Sequence, residues 1–196
     1  VKNISKQFKL FHEKRTSIYE AITGSVNRKR HYETLQALDN VSFEVKKGEA
    51  LGIIGKNGSG KTSLLRILSH IYQPDSGFVE INGTIVPVLA LGLGFHPELT
   101  AISNIYQSSI LLGISKKQIS QKIDKIIEYA ELEKFADTKF KNFSSGMQMR
   151  LAFATAVQVD PDILLLDEVY AVGDLKFQKK CFDTILDFKK QGKSII

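Results

Sequence analysis

The run Gly55-Lys56-Asn57-Gly58-Ser59-Gly60-Lys61-Thr62 decides the fold. It matches G-x-x-x-x-G-K-[ST] at every fixed position, and each residue type has a task. Glycines let the backbone curl so that several N–H groups converge on one anion. A helix beginning at the end of the run adds the partial positive charge of its N-terminus. Lys61 is expected to reach the β- and γ-phosphates of a nucleotide, and Thr62 to place its hydroxyl on Mg²⁺. The flanks suit this reading. Ala50-Leu51-Gly52-Ile53-Ile54 is a short apolar run of the buried-strand type, and Lys61 to Leu68 has helical spacing.

A second apolar run, Ile163-Leu164-Leu165-Leu166, ends in Asp167-Glu168. A strand that closes on an aspartate is a Walker B pattern, with Asp167 expected in the Mg²⁺ shell and Glu168 placed to polarise the attacking water. Ala37 to Val45 has strand-like spacing. Phe78 to Leu91 reads as two strands joined at the hairpin signal Asn82-Gly83. The middle of the chain turns helical. Ile119, Ile123, Ile126, Ile127 and Ala130 fall on one helix face, and Ser115 with Gln118 forms a capping box ahead of them. Further helices are expected from Ser144/Ser145 and over 175–190. Residues 9–34 do not fit the sheet. Ser17 to Glu20 is a capping box, Gly24 a stop, and basic residues flank the short helix between them. Strand, loop and helix, then a helical insert, then strand and helix predict an α/β sheet with an inserted helical lobe.

The 196 residues suffice for one domain with its own core, and 43% hydrophobic with 24% charged residues excludes a disordered chain. The single cysteine, Cys181, excludes an internal disulfide and suits a reducing compartment. The apolar stretch from Thr84 to Phe95 holds Pro87, Gly92 and Gly94 and is well short of the ~20 residues of a membrane-spanning helix. Of the net charge of +6, +5 falls on the first 47 residues, a pattern that can face anionic lipid, nucleic acid or substrate. Val1 at one end and the apolar Ser194-Ile195-Ile196 at the other read as a C-terminally truncated piece of a longer protein.

The run Asn142-Phe143-Ser144-Ser145-Gly146-Met147-Gln148-Met149-Arg150 resembles the signature motif of ATP-binding-cassette ATPases, and Ala171-Val172-Gly173-Asp174 resembles their D-loop. Relative to the usual LSGGQ, Ser145 replaces the first glycine and Met147 the glutamine. The departures, with Asp167-Glu168-Val169, Phe177-Gln178-Lys179-Lys180-Cys181 and Leu91 to Thr100, look like the polysaccharide and teichoic-acid exporters. The resemblance implies one domain over 1–196. A P-loop NTPase (RecA-like) core with an antiparallel β-subdomain would occupy about 1–95 and 158–196, and a helical subdomain about 96–157. It also implies a homodimer that sandwiches ATP, with Ser144, Gly146 and Asp174 serving the site of the opposite copy. A separate transmembrane permease, a lipid-linked polymer as cargo and a peripheral place on the cytoplasmic face of the membrane follow from the same likeness.

The adenine-stacking aromatic is expected at Phe8, with Phe11 and Tyr32 as alternatives. The resemblance places a glutamine near Leu91, yet none lies between Gln73 and Gln107, and none of His12, His31, His70 and His96 is in the segment of the family's switch histidine. A drug or small-solute exporter would share all this chemistry. An ATP-gated nucleic-acid machine is the reading from another class. The chain has neither coiled-coil heptads nor a long insert in the cassette, so no nucleic-acid partner is expected.

Overall fold

A computed structural model of the chain describes residues 1–11, 32–88, 94–167 and 174–196. Two sheets form. In the first, β1 (Lys2–Phe11) is the centre of an antiparallel sheet, between β2 (Tyr32–Val41) and β3 (Ser76–Phe78). In the second, β4 (Ile85–Val88), β5 (Ile163–Leu166) and β6 (Ser194–Ile195) run parallel in that order. The chain at Glu49–Leu51 continues this sheet beyond β6: the Leu51 N–H donates to Ile195 O at 2.9 Å, and the Ile195 N–H to Glu49 O at 3.0 Å.

The alternation of side chains along β5 explains how the layers stack. Leu165 turns to one face, where Ile4, Leu38 and the apolar side of α1 (Lys61–Leu68) enclose it. Leu164 turns to the other, against Phe153 and Val157 of α5 (Ser145–Gln158) and Phe177, Cys181 and Phe188 of α6 (Leu175–Lys190). A strand covered on both faces has no polar side to show, which is why Ile163 to Leu166 is an unbroken apolar run. The helices α2 (Ala101–Leu111), α3 (Lys116–Ser120), α4 (Ile123–Ala130) and the start of α5 enclose a third core of Ile105, Ile119, Ile126, Leu132 and Leu151.

Several expectations are met at the residue. The helices over Lys61–Leu68 and 175–190 have those bounds, Ser144 is the N-cap of α5, and the capping box at Ser115 and Gln118 is formed. Others are corrected. The two strands around Asn82-Gly83 do not pair with each other, because β1 takes β3 as an antiparallel partner while β5 takes β4 as a parallel one. Gly83 (φ 122°) instead links the sheets where a Cβ would lie 2.8 Å from that of Asp162. The helical face from Ile119 to Ala130 is split into α3 and α4, with Lys122 at the break and its ammonium donating to Gln158 O at 2.7 Å. The run Ala50–Ile54 makes one parallel bridge, Ala50 to Ile195, and Ile54 is 96% exposed.

The basic excursion begins as sheet, since β1 and β2 stay paired through Phe11 and Tyr32. Its predicted helix lies outside the described residues, as do Leu91 to Leu93 and Glu168 to Gly173. No helix among the described residues is long and apolar enough to cross a membrane.

Candidate functional site

Asp167 follows the carboxyl end of β5, and the glycine-rich loop follows the run that bridges to β6 at Ala50, so both lie at the carboxyl edge of the parallel sheet, where open α/β sheets place their ligands. Within the loop, Gly58 and Gly60 adopt φ of 82° and 92°. Gly60 is held to glycine twice over, because a Cβ there would also lie 2.3 Å from Ala37 O and 3.0 Å from Leu38 Cδ2 of β2. The antiparallel sheet is thus pressed against the loop at its last turn. The Ser59 N–H donates to Lys56 O at 3.2 Å and closes the curl.

Lys61 folds back over the loop, its ammonium donating to Gly55 O at 2.9 Å and Lys56 O at 3.1 Å. Next to it the Thr62 hydroxyl donates to Asp167 Oδ2 at 3.2 Å and ties the loop to the end of β5. The N-terminus of α1 has no side-chain cap and no acidic residue in its first turn. Its first N–H groups therefore lack partners within the helix and face the loop with their partial positive charge. A cation, a ring of amide donors and a hydroxyl–carboxylate pair are the donor set that a nucleotide phosphate with Mg²⁺ requires.

Ser144, Gly146 and Asp174 occupy two other helix starts. The Ser144 hydroxyl accepts the Met147 N–H at 3.3 Å and caps α5. Its footing is aromatic: Phe140 and Phe143 are buried beneath it, and the Gln148 amide donates to the carbonyl oxygens of both at 3.4 Å. At Gly146 a Cβ would meet nothing nearer than Ser144 Oγ at 4.0 Å. Asp174 caps α6, accepting the Phe177 N–H at 2.9 Å. That bond holds its carboxyl below the usual range, and the charge of Arg150 assists. Among the described residues no hydrogen bond or ion pair joins Ser144, Gly146 or Asp174 to residues 55–62. Glu168 lies outside the described residues.

Of the three aromatic candidates, Phe8 stands nearest the loop along the β1–β2 ladder. It pairs with Leu35, one step from Gln7 and Gln36, whereas Phe11 and Tyr32 pair three steps further out. The Phe8 ring meets Tyr72 edge-on at 5.5 Å, with the Lys6 ammonium 5.7 Å from its centroid. A cleft of about 1080 Å³ opens at the amino ends of the parallel strands, beside Asp162, Ser194 and Lys46. It contains none of the predicted site residues.

Sequence reasoning missed two residues that shape this region. Asn104, fully buried in α2, binds the 96–100 loop through both atoms of its amide. An asparagine among Ala101, Ile105 and the apolar side of α2 was the available signal. Glu131, at the end of α4, gathers three cations, and no spacing rule within one helix could have found it because they come from α5 and α6.

Comparison with known proteins adds an independent line. Residues 38–171 match the family model described as ABC transporter. The O-antigen export system ATP-binding protein RfbB of Klebsiella pneumoniae is 41% identical, over 99% of this chain and 80% of that protein. The teichoic acids export ATP-binding protein TagH of Staphylococcus haemolyticus is 36% identical, over 100% of this chain and 72% of that protein. Among solved structures, the ATP-binding cassette MJ0796 in a dimeric post-hydrolysis state bound to ADP and Pi superposes with a TM-score of 0.74 at 25% identity, across 99% of this chain and 84% of that one. A family model that runs from β2 past β5, and relatives aligned along almost all of this chain, settle the family: the chain belongs to the ABC transporter family.

Proposed function

We propose that this chain is the ATP-hydrolysing subunit of an exporter for a lipid-linked O-antigen, teichoic acid or related surface polymer. As a member of the family it is an ATP-binding cassette ATPase. The observation that supports the chemistry is the bond from Thr62 to Asp167, which ties the phosphate loop to the end of β5. The named relatives, ATP-binding proteins of O-antigen and teichoic-acid export, support the choice of cargo.

In this reading Lys61 reaches the β- and γ-phosphates, and the amides of 55–62 hold the rest of the chain of phosphates. Phe8 stacks on the adenine. Thr62 and Asp167 hold Mg²⁺, which supplies charge neutralisation on the phosphate oxygens. Glu168 takes the proton of the attacking water. Two copies bind head to tail, so that Ser144, Gly146 and the start of α5 meet the γ-phosphate held by the opposite loop, with Asp174 at the seam. ATP closes the pair and hydrolysis releases it. The helical lobe, about 96–157, passes that motion to a transmembrane permease at the cytoplasmic face, and the basic residues of 9–34 rest on anionic headgroups.

The test is depletion of the protein in its native cell, followed by extraction of membrane lipids. Accumulation of a polymer on an isoprenoid carrier supports the reading, and its composition identifies the cargo. Normal lipids with unimpaired surface polymer would remove the assignment to polymer export.

A further inference from the structure

Glu131 is a glutamate where backbone geometry favours glycine. It ends α4 with φ 57° and ψ 45°, in the left-handed region, directly before the buried Leu132. L-residues rarely hold this conformation unless the surroundings fix it. Here the backbone is held by the Glu131 N–H donating to Glu128 O and the Leu132 N–H to Ile127 O, both at 3.1 Å, while three cations on two other helices meet the side chain. Glu131 Oε2 is 3.5 Å from Arg150 Nη1 in the second turn of α5. Its Oε1 is 3.4 Å from Lys176 Nζ and 4.0 Å from Lys180 Nζ, both on α6.

The neighbouring Tyr129 strengthens the same junction. Its hydroxyl is 2.6 Å from Thr184 Oγ1, and Lys180 donates to its carbonyl at 2.8 Å while lying 4.3 Å over its ring. Tyr129 also rests on Phe153 of α5 and Phe177 of α6. The end of α4 is therefore a hub between the helix that Ser144 opens and the helix that Asp174 opens.

We infer that Glu131 is a positioning residue. Its carboxylate locks α5 to α6 and so sets the placement of Ser144 and Gly146 relative to Asp174. The inference rests on the proposed two-copy site, in which Ser144 and Gly146 meet the γ-phosphate of the opposite copy while Asp174 lies at the seam. Half-exposed ion pairs add little to global stability, so the lock acts on orientation. A residue kept for fold stability alone would behave in the opposite way, because glycine relieves the backbone at 131.

The test compares Glu131→Gly and Glu131→Gln with the parent in the complete protein. Thermal unfolding, fluorescent-nucleotide binding, ATP-dependent self-association and steady-state ATP turnover are measured for each. Glu131→Gly is expected to keep or raise the melting temperature, keep nucleotide affinity and KM, and lower kcat by about tenfold, the scale of a small misplacement of reacting groups. Glu131→Gln, which keeps the strained backbone and loses the charge, is expected to lose kcat likewise. A kcat equal to the parent's in both variants overturns the inference and leaves the two-copy site standing. A loss of kcat that comes with an equal loss of melting temperature or nucleotide affinity in Glu131→Gly also overturns it. A parent that binds nucleotide but neither self-associates nor turns over ATP overturns the two-copy site itself, and the inference with it.

Discussion

Asn104 offers a direct test of how the helical lobe holds the loop that precedes it. The side chain is fully buried in the first turn of α2 and faces back toward residues 96–100. Its Oδ1 accepts the His96 N–H at 2.6 Å. Its Nδ2 donates to His96 O at 3.1 Å, Leu99 O at 3.2 Å and Thr100 O at 3.1 Å. Each of those carbonyls has a second donor, from Leu99, Phe140 and Asn104 backbone N–H groups respectively. Replacement by leucine, of similar volume, thus strands chiefly the His96 N–H. One orphaned donor at ~1–3 kcal/mol and the bonds of the two amide hydrogens, shared among the three carbonyls, at ~0.5–1 each give a loss of about 3 kcal/mol. For a chain of this length that lowers the melting temperature by about 6–12 °C. Aspartate separates the two halves of the argument. It can still accept from His96 but turns a second anionic oxygen on three carbonyls. Its pKa in the folded state must rise above the unfolded value, so Asn104→Asp is most stable at low pH and loses stability as pH climbs through the raised value. Urea denaturation of both variants near pH 5 and pH 8 reads these effects. A leucine variant within about 1 kcal/mol of the parent, or an aspartate variant equal to it at pH 8, would refute the reasoning.

Other expectations follow from single positions. Gly60→Ala places a Cβ 2.3 Å from the Ala37 carbonyl and is expected to abolish nucleotide binding with a clear loss of stability; calorimetric titration with ATP checks the first and thermal unfolding the second. Ser144→Ala removes the cap of α5, for a loss of about 1 kcal/mol in denaturant unfolding. Burial pushes the Cys181 thiol up from 9.0 to about 12. The folded state therefore keeps its proton while the unfolded chain loses it, so this contribution to stability is whole below about pH 9 and is lost as pH climbs toward 12. Cys181→Ala should flatten the alkaline fall in unfolding free energy, and native protein at pH 8 should resist alkylation; rapid labelling without unfolding would contradict the buried thiol.

What could be read beforehand depended on whether the cause was local. The phosphate loop, the ends of α6 and the cap at Ser144 are written in adjacent residues, and each was legible. Asn82-Gly83 misled because the turn chemistry is real while the pairing is not: β3 and β4 choose partners more than 70 residues away in sequence, Lys2 for Phe78 and Ile163 for Ile85. The break between α3 and α4 carries no proline or glycine, and its anchor, Gln158 O, lies 36 positions from Lys122. Pairings made across the fold leave no periodic trace in the chain.

Three positions then bear on the proposed mechanism together, because each sets local preference against the residue present. Gly60 is glycine for reasons inside the chain: a left-handed φ and the Ala37 backbone leave no room for a side chain. Glu131 is the reverse, a side chain kept where glycine would relax the backbone, and its carboxylate reaches two other helices. Gly146 differs from both. It sits in the first turn of a helix that alanine would favour by up to ~1 kcal/mol, with open space before it and no positive φ to demand glycine. Nothing among the described residues requires its smallness. In the proposed dimer the γ-phosphate held by the partner copy fills the open space before it. Gly146→Ala should accordingly raise the melting temperature slightly while lowering ATP turnover, with nucleotide affinity at the chain's own loop unchanged. If turnover instead stays at the parent value while stability rises, the open space before α5 admits no phosphate, and the two-copy site loses its main support on this side.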